Sequence, residues 1–227
     1  MSAPTLQALV PVRGDAPFLA AALHSLRAQT FIDWQATLCP LDANARDIAM
    51  RAVDGDARMQ IADTSDMAEA SALAHAADTN ACELLCVLDG DDTLEPTAFA
   101  ALMDALAEHP AAGMAYSRHV LIDANGGVLG PGPLCELPYS ADALLLDFMT
   151  GPLRVLRRQA YRDAGGFASA HADASDYALC LRLSETAGVV HVPQHAARDA
   201  MHDRRVALEQ HLFRAHLAGQ HRHDELR

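Results

Sequence analysis

The segment that most constrains this chain is Leu84-Leu85-Cys86-Val87-Leu88-Asp89-Gly90-Asp91-Asp92. Its apolar run reads as a strand buried on both faces, as in a parallel sheet covered by helices. It then breaks into three carboxylates around a glycine, and nothing in a packed core calls for them. Carboxylates placed where a parallel strand ends lie on the rim where α/β proteins keep their ligands. Two of them one residue apart suit a hard divalent cation, which takes oxygen ligands and commonly keeps a substrate phosphate as another. Gly90 lets the backbone turn with no side chain in the way. The plain alternative is an Asp-rich turn after a strand, since Asp and Gly are ordinary turn residues.

Composition narrows the class. A chain of 227 residues with 51% hydrophobic content is enough for one well-buried domain with an appended tail. The formal charge of −13 argues against a nucleic-acid partner, which would require basic patches. Five cysteines (Cys39, Cys82, Cys86, Cys135 and Cys180) are an odd number set mostly in apolar segments. They read as small buried hydrophobes in a reducing compartment, not as a disulfide framework. The N-terminus has neither the basic nor the long apolar region of a signal peptide, and no segment is long and apolar enough to span a membrane. The expectation is a soluble, cytoplasmic protein.

Apolar runs alternate with helical patterns along the first half of the chain. Leu6 to Val12, Trp34 to Leu41, Met59 to Ala62 and Leu84 to Leu88 read as strands. Between them, helices are expected over Ala16 to Ala28, Asp47 to Val53 and the alanine-rich Asp66 to Ala77. This order implies βαβ units, a parallel sheet, and right-handed crossovers that bring the strand C-termini to one rim. Beyond Asp92 the reading continues with a helix to about His109, then a strand and hairpin around Asp123-Ala-Asn-Gly-Gly127. Next come a helix over Ala141 to Phe148, a strand over Leu153 to Leu156 and a short helix closed by Gly165-Gly166-Phe167. A helix over Ser175 to Thr186, a strand over Val189 to Val192 and a terminal helix over Val206 to about Ala218 complete it.

Several landmarks occur in an order that resembles the family 2 glycosyltransferases of the GT-A fold, over roughly residues 5 to 205. Leu9-Val-Pro-Val12, then Leu23-His-Ser-Leu26 and Gln29-Thr30-Phe31, are similar to that family's opening strand and helix. Leu88-Asp-Gly-Asp-Asp92 followed by Pro96 is similar to its L-D-x-D-D metal motif. Arg157-Arg158 followed by Gly165-Gly166-Phe167 resembles its acceptor segment, and Ser175-Asp176 with Leu179 and Arg182 resembles its catalytic helix. Val192-Pro193 and the later His202 resemble its closing stretch.

The resemblance implies a single α/β domain of GT-A (Rossmann-like) type, with a central, mostly parallel sheet flanked by helices. Residues 1–110 would form the nucleotide-sugar half and 111–205 the acceptor half, with 206–227 a C-terminal helix and tail. It implies an inverting transfer of sugar from a nucleoside-diphosphate donor, a UDP-sugar by preference, to a hydroxyl on a sugar, lipid-linked or protein acceptor. Surface polysaccharide or glycoconjugate synthesis is the setting implied. Donor-binding residues would be Pro11, Arg13, Asp42, Asp89 and Asp91, with Asp91 and His202 holding Mn²⁺ or Mg²⁺. Asp176 would be the general base. Arg157, Arg158 and Gly166 would line the acceptor side.

The chain also departs from that pattern. Cys39-Pro40-Leu41-Asp42 stands where the family has Asp-Asp, and Glu69 to Ala77 lacks the usual Arg-Asn pair. Arg13-Gly14 replaces Tyr-Asn, Ser175 replaces the acid before the base, and Ala200 replaces the arginine before His202. Arg13 is the residue expected to supply the missing positive charge. Two other readings follow: a non-catalytic GT-A module that has lost donor recognition, and a sugar nucleotidyltransferase. The latter normally opens with a glycine-rich loop and a lysine, and Val12-Arg13-Gly14-Asp15 supplies neither in full. The terminal helix, with Val206, Leu208, Leu212, Phe213 and Leu217 apolar, is free to pack on the core or on a second copy, a homo-oligomer.

Overall fold

The computed structural model describes residues 4–167 and 175–200. The expectations for His202, the terminal helix and the rest of 206–227 lie outside the described residues.

Four strands form the first half of the sheet: β1 (Leu6–Val12), β2 (Trp34–Pro40), β3 (Met59–Ile61) and β4 (Leu84–Val87). They pair in parallel in the order β3-β2-β1-β4. Their connections are α1 (Leu19–Arg27), α2 (Ala43–Ala52) and α3 (Glu69–Ala77). The apolar runs lack polar alternation because both faces are covered. Leu6, Ala8 and Val10 join a core with Leu23, Leu26, Phe99 and Leu102, while Leu9, Leu85 and Val87 join a second core with Leu73, Leu179 and Leu183. Successive strand residues point to opposite faces, so one uninterrupted apolar strand serves both cores.

The second half continues the same sheet. After β5 (Thr93–Leu94) and α4 (Ala98–Glu108) come β6 (Ala112–Ile122), β7 (Val128–Pro131) and α5 (Ala141–Leu146). They are followed by β8 (Arg154–Arg157), α6 (Arg158–Asp163), α7 (Ser175–Thr186) and β9 (Gly188–Ala200). The full order is β3-β2-β1-β4-β8-β6-β9-β5, with β7 paired to β6. β8 runs antiparallel to both β4 and β6, and β9 runs parallel to β6. Among the described residues, six of the nine strands therefore share one direction, and β5, β7 and β8 oppose it.

The differences from the expected elements have physical causes. α2 begins at Ala43, not Asp47, because the Asp42 carboxylate caps it by accepting from the Ala45 amide at 2.8 Å. β5 is two residues long and carries no periodicity to read. β9 extends through Ala200, well past Val192, although it contains Pro193. Its register against β6 jumps from Ser117↔Val192 to Arg118↔His195, so Pro193 sits in a bulge where no ladder donor is needed. α7 matches its expected span.

Candidate functional site

Shared strand direction gathers the ends of β1, β2, β4, β6 and β9 on one rim. At the end of β4 the ladder continues one step, with the Leu88 amide donating to Leu9 O at 2.9 Å, and the chain then turns. The Asp92 amide closes that turn on Asp89 O at 3.0 Å. One carboxylate oxygen each from Asp89, Asp91 and Asp92 then falls within 4.8 Å of the others. Asp89 and Asp91 are half-buried, and Asp92 is buried. Asp92 Oδ1 accepts from the Ala200 amide at 2.9 Å, which fastens the end of β9 to the motif. Gly90 suits this turn by space, since a Cβ would lie a tight 3.0 Å from Pro11 O. The buried Pro11 thus backs the turn from β1, and its carbonyl is the contact.

A cleft of about 470 Å³ opens beside Asp91. Its walls include Phe18, Thr93, Arg198 and the Asp123–Gly126 turn between β6 and β7. Arg198 is tethered by an ion pair to Glu95 at 2.8 Å.

Asp176 lies in the first turn of α7. Its Oδ2 accepts from Arg154 at 2.5 Å, and about a quarter of its side chain remains exposed. Arg154 opens β8 opposite Tyr116 of β6, with Val155 level with Cys86 of β4, so the pair belongs to the same rim as the aspartates.

Other residues named from the sequence have different surroundings. Arg13 is exposed and ion-paired with Glu69 in the first turn of α3, which neutralises the charge expected to face a diphosphate. Both oxygens of Asp42 are engaged: Oδ1 caps α2, and Oδ2 accepts from the Gly14 amide at 2.9 Å. These amides hold its carboxyl below the usual carboxylate range. Asn44 adds a second tie, donating to Gly14 O at 2.9 Å.

Arg157 and Arg158 are not brought to the rim. Arg157 pairs with Leu84 at the start of β4, the end opposite the aspartates. Its guanidinium donates to Ala112 O at 2.9 Å and Leu106 O at 2.8 Å. Arg158 is buried and donates to Cys82 O, Ala77 O, Gln7 Oε1 and Asn80 Oδ1. The two side chains knit chain segments together beneath the sheet, away from the rim that holds the aspartates. Gly165 and Gly166 have φ of +81° and +62° and end α6, with the Gly166 amide donating back to Tyr161 O at 2.9 Å. Arg182 donates to Ala164 O and to Gly166 O, both at 2.6 Å, docking α7 on that helix end. Gly166 is thus part of a helix stop.

Two residues of the rim escaped the sequence reading. Asp92 belongs to the L-D-x-D-D motif, and the resemblance implies no separate role for it. Arg154 has its own sequence signal: a cation inside the apolar stretch Leu153-Arg-Val-Leu156 must find a partner when the strand is buried.

No family model matches the chain. It is 27% identical over 206 residues to the O-antigen biosynthesis protein RfbC of Myxococcus xanthus, covering 86% of this chain and 16% of RfbC. It is 26% identical over 196 residues to an uncharacterised protein of Sinorhizobium fredii, covering 80% of this chain and 20% of that protein. The chain therefore spans a fifth or less of the curated relatives it matches. Among solved structures, S. aureus TarS superposes with a TM-score of 0.70 at 13% identity, over 86% of this chain and 60% of the TarS chain. TarS has also been solved with UDP-GlcNAc. The mannosyltransferase PcManGT of Pyrobaculum calidifontis, solved with GDP-Man and Mn²⁺, gives a TM-score of 0.67 at 14% identity, over 89% and 59% of the two chains. At these identities the likeness is one of fold.

Proposed function

We propose that this chain, which has the GT-A fold of the glycosyltransferases, is itself one: it moves a sugar from a nucleoside-diphosphate donor to a hydroxyl acceptor. The observation that carries the reading is the convergence of the Asp89, Asp91 and Asp92 carboxylates within 4.8 Å at the end of β4. An all-oxygen donor set of this kind fits Mn²⁺ or Mg²⁺. Asp89 and Asp91 would hold the ion, with Asp91 facing the cleft. When bound, the ion supplies Lewis-acid neutralisation of the departing diphosphate.

The chain's own groups account for the rest. Asp176 would take the acceptor's proton as its oxygen attacks the anomeric carbon from the face opposite the diphosphate, inverting that centre. Oδ2 is committed to Arg154, and Oδ1 carries no hydrogen bond among the described residues, so one oxygen is open for that proton. Residues 1–110 would form the donor half and 111–205 the acceptor half. The name of the RfbC relative supports a role in surface polysaccharide synthesis, and the acceptor would be a sugar, lipid-linked or protein hydroxyl. Among the described residues no helix is long and apolar enough to cross a membrane.

The test is release of nucleoside diphosphate from UDP-glucose, UDP-GlcNAc and GDP-mannose with Mn²⁺, Mg²⁺ or EDTA. Metal-dependent release from one donor is the expected result. A second reading, a GT-A module without turnover, is favoured by one observation: the Arg13 charge and both Asp42 oxygens are absorbed by local contacts. Absence of release from every donor, by a folded protein, would support it.

A further inference from the structure

Arg154 is a cation held where cations are expensive. Only 5% of its surface is exposed, and three restraints fix its guanidinium. One terminal nitrogen donates to Asp176 Oδ2 at 2.5 Å, the other donates to Gly151 O, and Cζ lies over the Phe148 ring, 4.8 Å from its centroid. Phe148 in turn packs at 5.2 Å on Tyr177, the residue beside Asp176, and the Tyr177 hydroxyl donates to Leu144 O at 2.7 Å. A planar fork with two directed donors and a stacked face has one orientation, which a flexible ammonium would not share. Its carboxylate partner inherits that orientation.

We infer that Arg154 is the positioning residue for Asp176: it locks Oδ2 and thereby presents Oδ1 to the acceptor hydroxyl. This rests on the reading of Asp176 as the general base. In the step concerned, the acceptor O–H proton passes to Oδ1 while the acceptor oxygen bonds to the anomeric carbon. The bond from that carbon to the diphosphate oxygen breaks, and the nucleoside diphosphate leaves with the electron pair. Arg154 takes no proton and touches no reacting atom. It keeps the carboxylate aimed. No acid precedes the base in this chain, where Ser175 is buried beside it. The guanidinium is therefore the charged neighbour that orients Asp176.

The experiment measures slow hydrolysis of the donor by water, which needs no identified acceptor, for wild type, Arg154→Lys, Arg154→Met, Asp176→Asn and the double variant Arg154→Met/Asp176→Asn. UDP-glucose, UDP-GlcNAc and GDP-mannose are the probes, and folding is checked by melting temperature. Arg154→Lys is expected to lower kcat about 10- to 100-fold, the range that a small misplacement of a reacting group costs. Its donor KM stays at the wild-type value. The double variant, in which the buried pair is neutralised on both sides, is expected to hydrolyse donor at the same residual rate as Asp176→Asn, because the two residues act as a unit. No hydrolysis by wild type would overturn the glycosyltransferase reading and this inference with it. Hydrolysis by wild type with Arg154→Lys within twofold of it, or with KM rising in place of a kcat fall, would overturn the inference alone. So would a further rate loss from Arg154→Met in the Asp176→Asn background. If that background shows no measurable rate, the kcat and KM of Arg154→Lys decide.

Discussion

Removing Arg158 should cost this protein stability and leave its donor site intact. The guanidinium is buried and serves four acceptors: the carbonyls of Ala77 and Cys82, and the side chains of Gln7 and Asn80. It joins the start of α6 to β1 and to the loop between α3 and β4. In Arg158→Met these acceptors lose their donor, and a buried hydrogen bond to a charged group is worth about 1.5–3 kcal/mol. Against this, the variant no longer has to desolvate a cation, a penalty of several kcal/mol. The balance is a destabilisation of about 3–4 kcal/mol. For a domain of this size 1 kcal/mol corresponds to about 2–4 °C, so the melting temperature should fall by about 10 °C. The assay is thermal denaturation of wild type and variant, each with and without Mn²⁺ and the preferred nucleoside diphosphate. The ligand-induced increment should survive in the variant, because the aspartates lie at the other end of β4. An unchanged melting temperature, coupled with lost transfer to an acceptor, would instead assign Arg158 to the acceptor site.

Three further outcomes follow from the contacts. Gly90→Ala sets a methyl group 3.0 Å from Pro11 O, so the Asp89–Asp92 turn must shift, and metal-supported nucleotide affinity should drop about tenfold with only about 1 kcal/mol lost in urea denaturation. Arg58 bonds the Asp56 carboxylate and lowers its pKa to about 2, so the pair stabilises the fold above about pH 4 and that contribution is lost as pH falls toward 2. Asp56→Asn should therefore be about 1 kcal/mol less stable at neutral pH, after allowance for solvent screening, with the difference vanishing near pH 2 in parallel denaturation curves. All five cysteines are free and buried, and burial pushes the Cys39 thiol up to about 12. A thiol reagent at pH 8 should label none in the native state and all five in guanidinium.

The sheet was legible because its defining strands are buried on both faces, which forces unbroken apolar runs such as Leu84-Leu85-Cys86-Val87. The carboxylate cluster was legible because an apolar core has no use for three acids directly after such a run, although the buried Asp92 also fastens the end of β9. What the sequence concealed were contacts made across long separations. Arg157-Arg158 occupies an acceptor-like motif, yet the antiparallel course of β8 carries both residues to the far end of β4. Asp42 looked like a base-binding acid and is also an N-cap, a use that no residue spacing distinguishes from the first. Arg13 faces Glu69 across 56 positions, a partnership that only the crossover brings about. The length of β9 depends on its parallel pairing with β6 as far as Ile122↔Ala200 and on a bulge at Pro193.

Asp89, Asp91 and Asp92 are proposed as a metal-supported donor site. Its most direct test is calorimetric titration of UDP, GDP, CDP and dTDP into wild type and Asp91→Asn, with and without Mn²⁺. The expected result is binding of one nucleotide that requires Mn²⁺ and is lost in Asp91→Asn. Binding that is indifferent to Mn²⁺ and unchanged in the variant, or no binding at all by folded wild type, would contradict it.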